Sequence, residues 1–498
     1  MIRVGLARTQ ASYSGVEPPF LPDRLYPEFA DRPPLPSGTR ANPVYAAVRG
    51  ALAALGLDRS RFESPEWNPL RSLAPAGSKV VLKPNFIRHW NPNEDGSVES
   101  VITHGSILRA VADYAALAVG PEGSVVVAEA PQQDCDFEEI RRLTGLAEIQ
   151  GSFEAMWGGP LEVIDLRREW VSFRDGVIVS RSPLPGDPAG YRKVDLGERS
   201  FFRDIGIDPA RFRGADYDPG PTSEHHRGGT NAYLLSETAL SSDLIINLPK
   251  LKTHKKTGVT LSLKNLVGLN GDKNWLPHHS VGSPREGGDE YPVATPLAVM
   301  RSRATEWLRP LLARGVGTAV VRAGRRLERG ARSRPFIRSG NWFGNRTTWR
   351  MCCDLNRCLA YSDRNGLHLD AAAPVRTTLH VIDGIVAGDG DGPLAPRDLP
   401  LGVVVASTDA VGADLVATRL MGFDEAKIPV LREPMADEPG PRITEIRHPD
   451  DVEVFQVSPE SPEPSRVPLS ALERDPAFEP HFGWKGHIEA DPAPIGSS

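Results

Sequence analysis

Residues 243–273 read DLIINLPKLKTHKKTGVTLSLKNLVGLNGDK. The stretch opens on a short apolar run, Leu244–Leu248, with the length and β-branched content of a strand buried on both faces. Pro249 ends that run, and Lys250, Lys252 and His254 follow at alternate positions. Alternate residues of an extended segment share one side, so these three side chains are expected together. Between residues 250 and 273, six lysines (250, 252, 255, 256, 264 and 273) stand against one acid, Asp272. An unpaired buried ammonium is costly. The cluster is therefore solvated, paired with distant acids, or directed at an anionic ligand.

Similar runs on either side set the fold class. Ile2–Leu6, Lys79–Lys83, Ser124–Ala128, Leu161–Ile164, Leu379–Ile382 and Leu401–Ala406 read as further strands. Helical patterns fall at Val44–Leu55, Ile107–Ala118, Phe137–Thr144, Ala232–Leu240 and Ala410–Met421. The alternation predicts an α/β fold with a largely parallel sheet and flanking helices. An Arg-rich helical insertion is expected near residues 297–335 and an irregular C-terminal tail after it. The predicted organisation is an N-terminal strand with a Pro-rich segment (1–78), a core α/β unit (79–296), the insertion (297–350), a second α/β half (351–432) and a wrapping tail (433–498).

In open α/β sheets ligands sit beyond the carboxyl ends of the strands. Lys250, Lys252 and His254 lie there, as do Lys83 and Asn85, Glu129, and Asp383. That coincidence favours an anion site, with Lys83, Lys250 and Lys252 neutralising the ligand and Asn85 and Asn265 orienting it. His254 is the expected general acid/base, because imidazole titrates near working pH. Lys255 and Lys256 read as a solvated loop. Lys264 and Asn265 fall on a helix starting near Thr260, where the lysine either reaches the pocket or caps a helix end. The Gly/Asp run 383–393, with Asp383, Asp389 and Asp391, reads as a permissive oxygen-rich loop or a plain turn. Asp409 reads as an N-cap. His225, His226, His278 and His279, with Asp289 and Glu290 nearby, suggest a divalent metal, although their spacing fits no zinc motif; phosphate binding, proton shuttling and plain structural roles are the alternatives.

Composition narrows the classes further. The chain has 498 residues and a net charge of −6, against a generally basic nucleic-acid binder. Its four cysteines are too few for a disulfide scaffold, which points to a reducing cytoplasm. No apolar run reaches membrane-spanning length. Neither GxxxxGK[ST] nor a strand-linked GxGxxG occurs, so no P-loop nucleotide or NAD site is expected. Cys352, Cys353 and Cys358 fall in an amphipathic helical stretch and read as packing residues, so no iron–sulfur cluster is expected. Residues 301–350 are the electrical exception, with 13 Arg, no Lys and two acids, Glu306 and Glu328. Trp307, Leu308, Leu311 and Leu312 recur there at roughly helical spacing. Such a helix lies on an anionic membrane surface or docks on the acidic remainder of the chain or a second copy.

These residues resemble the family catalogued as domain of unknown function 362. The resemblance is carried by VVLKPN (80–85), TH (103–104), residues 243–273, LPHH (276–279), GGDEYP (287–292), VIDGIVAGDGDGP (381–393) and DAVGADLVATRLMGF (409–423). Some members carry ferredoxin-like cysteine clusters, which this sequence lacks. Asp243 through His254, with Lys264, is also similar at fold level to the nickel-dependent lactate racemase superfamily. That likeness implies acid–base chemistry on a small hydroxy or sugar acid, with His254 or His104 moving a proton. The resulting expectation is a cytoplasmic enzyme, at most peripheral to the inner membrane face, acting on a carboxylated or phosphorylated small molecule. Lys252, Lys264, His254 and His104 would be catalytic, and Lys83, Asn85, Lys250, Asn265, Asp383 and Asp391 would bind substrate. The rivals are a racemase-like isomerase and a non-catalytic scaffold recruited to membranes or polyanions.

Overall fold

All seven apolar runs become strands of one sheet. The computed structural model describes residues 1–32, 42–175, 177–203, 206–313, 319, 322, 337–436, 440–472 and 478–491. The strands are β1 (Ile2–Arg8), β2 (Lys79–Pro84), β3 (Ser124–Glu129), β4 (Leu161–Asp165), β5 (Leu244–Leu248), β6 (Lys250–His254), β7 (Gly258–Thr260), β8 (Thr377–Asp391), β9 (Ala395–Ser407), β10 (Val452–Val457) and β11 (Ser465–Val467). Their order is β11-β10-β1-β9-β8-β5-β2-β3-β4, with β6 pairing β8 and β7. From β8 through β5, β2, β3 and β4 every pairing is parallel. β8 and β9 form a long antiparallel arm. The N-terminal strand runs between β9 and β10, so the two ends of the chain meet in one sheet. Within the expected irregular tail, β10 and β11 are regular.

Period-two alternation sends successive side chains to opposite layers. Val80, Leu82, Leu244 and Ile246 pack in one core with helices α1 (Pro43–Leu55) and α2 (Gly105–Val119). Two further helices follow in the chain, a one-turn helix, α3 (Ser262–Asn265), and a long one, α4 (Pro296–Ala313). Val81 and Ile245 face the other core, built with α5 (Thr348–Tyr361) and α6 (Ala410–Leu420). Asp409 caps α6 by accepting from the Gly412 N–H at 2.8 Å, as its sequence position predicts. All four cysteines are free and buried, three of them on α5.

Two expectations change, and a third reaches only partly into the described residues. Ala232–Leu240 is not a helix: Ala232–Ser236 is a strand pairing Tyr191–Asp195, and only Glu237–Leu240 turns helically. A short apolar run cannot be told apart by periodicity alone. Second, the Gly/Asp run from 383 is not a loop but the distal half of β8 and its turn. Its glycines permit close contact instead of flexibility. A Cβ at Gly388 would lie 2.7 Å from the Lys252 Cβ and 2.7 Å from the Ser100 carbonyl oxygen. Third, the insertion is described as the helix α4 and then singly at 319 and 322; residues 314–318, 320–321 and 323–336 lie outside the described residues.

Candidate functional site

Pro249 divides what would otherwise be one strand into β5 and β6. It has no N–H to give, and its carbonyl accepts from the Asp383 N–H at 2.9 Å. β8 therefore pairs β5 up to His380 and β6 from Asp383 onward, with a register shift between Lys250 and Lys252. The shift carries β6 beyond the carboxyl ends of β2 and β5. There Lys252 and His254 enter a cavity of about 510 Å³. The same cavity is walled by Lys255, Lys256, Lys264 and Lys273, by His278 and His279, and by Asn85 and Asn265.

The electrostatics of this cavity are one-sided. Its wall includes the carboxylates Glu129 and Asp216. Glu129 is paired with the fully buried Lys83, and Asp216 with Arg181 at 2.6 Å. Lys252 donates to the Val101 carbonyl and, at 3.2 Å, to Asn85 Oδ1. Lys256 reaches the carbonyls of Ser339 and His278, and Lys273 that of Ala130 at 2.8 Å. None of these oxygens carries a full charge. The side-chain amines of Lys255 and Lys264 have no hydrogen-bond or ion-pair partner among the described residues. Lys264 is nonetheless firmly placed, because the Asp414 carboxylate accepts from the Ser262 and Leu263 N–H groups at 2.7 and 3.0 Å and so anchors the start of α3.

Burial shifts these groups toward their neutral forms. It holds Lys256 and Lys273 at about 7 and lowers Lys255 and Lys264. Lys252 falls well below its ordinary value through burial and then the neighbouring lysines. His254 is likewise pushed well below the usual imidazole range by burial and by Lys264, so it does not titrate near working pH as the sequence suggests. Its tautomer follows from its partners. Nδ1 accepts from the Lys256 and Thr257 N–H groups at 3.0 and 3.2 Å, which leaves the proton on Nε2. His278 is the reverse: Nδ1 faces the Leu276 carbonyl at 2.8 Å, must donate, and leaves the lone pair on Nε2. One histidine thus presents an N–H and the other an acceptor.

The remaining expected site residues divide sharply. Lys83 lies behind Glu129, and Lys250 is sealed in a separate cluster. There Lys250 pairs with Asp383 at 3.0 Å, both fully buried, and donates to the Tyr13 hydroxyl at 2.9 Å. The Tyr13 hydroxyl also donates to Asp383. His104 belongs to this cluster and not to the cavity wall. It caps α2, stacks on Tyr13 at 3.8 Å between ring centres, and burial lowers it to about 3. Asp391 is exposed at the tip of β8, 3.9 Å from His481. Lys255 and Lys256, expected in solvent, are instead in the wall, partly buried and buried respectively, because the turn after β6 folds under Trp484, whose indole N–H donates to the Lys255 carbonyl at 2.9 Å.

The six residues named for a metal do not converge. His225 stacks on Trp275 with ring centres 3.3 Å apart. His226 bonds the Trp275 carbonyl at 2.9 Å among Phe202, Phe212 and Tyr233. Glu290 accepts from Gly282 N–H and Ser302 Oγ. Asp289 accepts from Ser280 N–H and Oγ, Arg346 N–H, and Thr347 N–H and Oγ1, between 2.7 and 3.2 Å. Only His278 and His279 of the six reach the cavity. No group of three His, Cys, Asp or Glu poised for a metal occurs among the described residues. Asp289→Ala is expected to cost about 3–5 kcal/mol, since it orphans several buried donors; a urea midpoint left unchanged would contradict this.

Sequence reading missed Tyr13, which sits in a Pro-rich connector without a periodic signal. It also missed Phe173 and Ile178, which reach the cavity from the hairpin Glu169–Arg174 and Val177–Pro183. The Asp175-Gly176 pair between those strands is a hairpin signal that would have found them.

A curated relative, a thylakoid-associated protein of Synechocystis sp., is 22% identical over 250 residues, covering 50% of this chain and 52% of the relative. The chain thus spans about half the length of that relative. A crystal structure of a Thermotoga maritima protein aligns with a TM-score of 0.23 and 10% identity, over 44% of this chain and 38% of the other. The profile of the family described as a domain of unknown function, DUF362, matches residues 162–419, more than half the chain and all of the segment from β5 to α6. The chain belongs to the DUF362 family.

Proposed function

We propose that the chain is an enzyme that binds a small carboxylated or phosphorylated molecule in the lysine-lined cavity and moves a proton on it. One observation carries this reading: the amines of Lys255 and Lys264 line the cavity with no partner among the described residues, while both carboxylates of its wall are already paired. A bound anion would supply the missing counter-charge through charge-assisted hydrogen bonds. His254 would serve as a neutral donor to an oxygen that gains charge. The amine of Lys264, which burial shifts toward its neutral form, would take the proton; His278, held at about 3, would only accept a hydrogen bond.

The test is a thermal-shift screen with phosphorylated and carboxylated metabolites, since a ligand of the native state raises its melting temperature. Stabilisation by at least one such anion, lost in Lys255→Ala/Lys264→Ala, is the expected result. No shift across both classes, or a shift indifferent to the double variant, would sink the reading.

The pH dependence has a definite sign. Lys256 and Lys273 are charged below about pH 7 and neutral above it. Anion affinity should therefore be greatest below pH 7 and fall as pH rises toward 9. The ligand-free protein should move the other way. Between about 7 and the ordinary lysine value the unfolded chain binds more protons than the folded one, so stability rises with pH there. Calorimetric titrations and urea midpoints from pH 6 to 9 check the two trends separately.

A further inference from the structure

The long helix α4 has two faces with different surroundings. Thr305, Arg309 and Leu312 line the cavity, and this side is fixed to the body by ion pairs. Glu306 joins Arg213 and, at 2.8 Å, Arg309, whose guanidinium also donates to the Asp216 carbonyl at 3.0 Å. The far side repeats apolar residues at 297, 300, 304, 307, 308 and 311, the three-and-four spacing of one helical stripe. Trp307 is 71% exposed, Met300 60% and Leu297 52%. Arg301 and Arg303, both exposed, fall on either side of this stripe.

A Trp of that exposure, aligned with Met and Leu and edged by arginines, is the pattern of a helix lying in a membrane interface. Charge selects the occupant. α4 itself carries Arg301, Arg303 and Arg309 against one acid, Glu306, so a second copy would bring like charge to like, whereas anionic lipid head groups are complementary. Among the described residues no part of the chain covers the stripe, which is open while the opposite face is docked. We infer that α4 is a peripheral membrane anchor, its Leu297–Met300–Trp307 stripe seated among the head groups and upper acyl chains of an anionic bilayer. The inference is independent of what the cavity binds. It has a consequence for that cavity, however: one helix diameter, about 10 Å, separates its wall from the lipid surface.

The experiment is flotation of the full chain with vesicles of phosphatidylcholine alone or mixed with phosphatidylglycerol. Binding is expected on the mixed vesicles at low salt, weakening as salt rises. Leu297→Ser/Met300→Ser/Trp307→Ser should lower the partition coefficient at least about tenfold while leaving the far-ultraviolet spectrum unchanged. Lys264→Ala, which changes only the cavity, should float like the wild type, so failure of the anchor and failure of the proposed function are told apart. Absence of binding to anionic vesicles at low salt overturns the inference. So does a dimer in light scattering that the triple variant dissolves without any vesicle binding, which would assign the stripe to a second copy.

Discussion

Lys264→Ala should weaken the binding of the preferred anion by about 10- to 100-fold, the loss of one charged hydrogen bond of roughly 1.5–3 kcal/mol. The same change should leave the ligand-free fold intact or slightly more stable. Lys264 sits in the cavity wall with no partner among the described residues, so its removal deletes a desolvated charge and orphans no carboxylate. Most substitutions that lower affinity at a buried site also lower stability. Here the two effects should separate. Isothermal titration and urea denaturation on the same preparations measure both. A variant that binds like the wild type, or that unfolds several kcal/mol more easily, contradicts the placement of Lys264 as a ligand-facing cation.

Lys250→Met should do the reverse. Lys250 is fully buried against Asp383, and neither residue touches solvent. Removing the ammonium leaves Asp383 buried with hydrogen bonds from Tyr13, His104 and Ile385 but no counter-ion. The cost of breaking such a pair is about 3–5 kcal/mol. Adding Asp383→Asn to Lys250→Met should restore part of it, because the second change removes the stranded charge. Anion affinity of whatever Lys250→Met protein remains folded should be close to that of the wild type. Lys250 and Lys264 would then be shown to serve different ends, one holding β6 against β8 and the other facing the cavity.

The sequence made the strands legible because each is a short β-branched run between turn residues, and a strand buried on both faces has no other way to be written. It also placed the positive cluster at the carboxyl edge. It did not show which lysines were already neutralised. Alternation puts Lys250 and Lys252 on one side, but whether a carboxylate waits there depends on β8, more than a hundred residues away, and on Tyr13 from a connector without periodicity. The Lys255-Lys256 pair misled for a related reason. Adjacent lysines normally mark solvent, and only the return of the C-terminal segment, with Trp484 beneath them, buries this turn. The glycines of β8 were equally ambiguous. Glycine serves flexible loops and tight strand contacts alike, and the sequence does not distinguish Gly388 against Lys252 from Gly390 at a positive φ.

The opposed tautomers of His254 and His278 bear on selectivity. Sulfate, or the dianion of a phosphate monoester without an alcohol, offers only acceptors: it would satisfy the lysines and the His254 N–H yet set oxygen lone pairs against His278 Nε2. A hydroxylated organic acid, or a phosphate monoester with a free alcohol, meets both rings at once, its oxyanion toward one and its O–H toward the other. Competition between pairs such as lactate and propionate, or glycerol phosphate and methyl phosphate, should therefore favour the alcohol-bearing partner, and a wall built largely of lysine would distinguish ligands by a single hydroxyl donor.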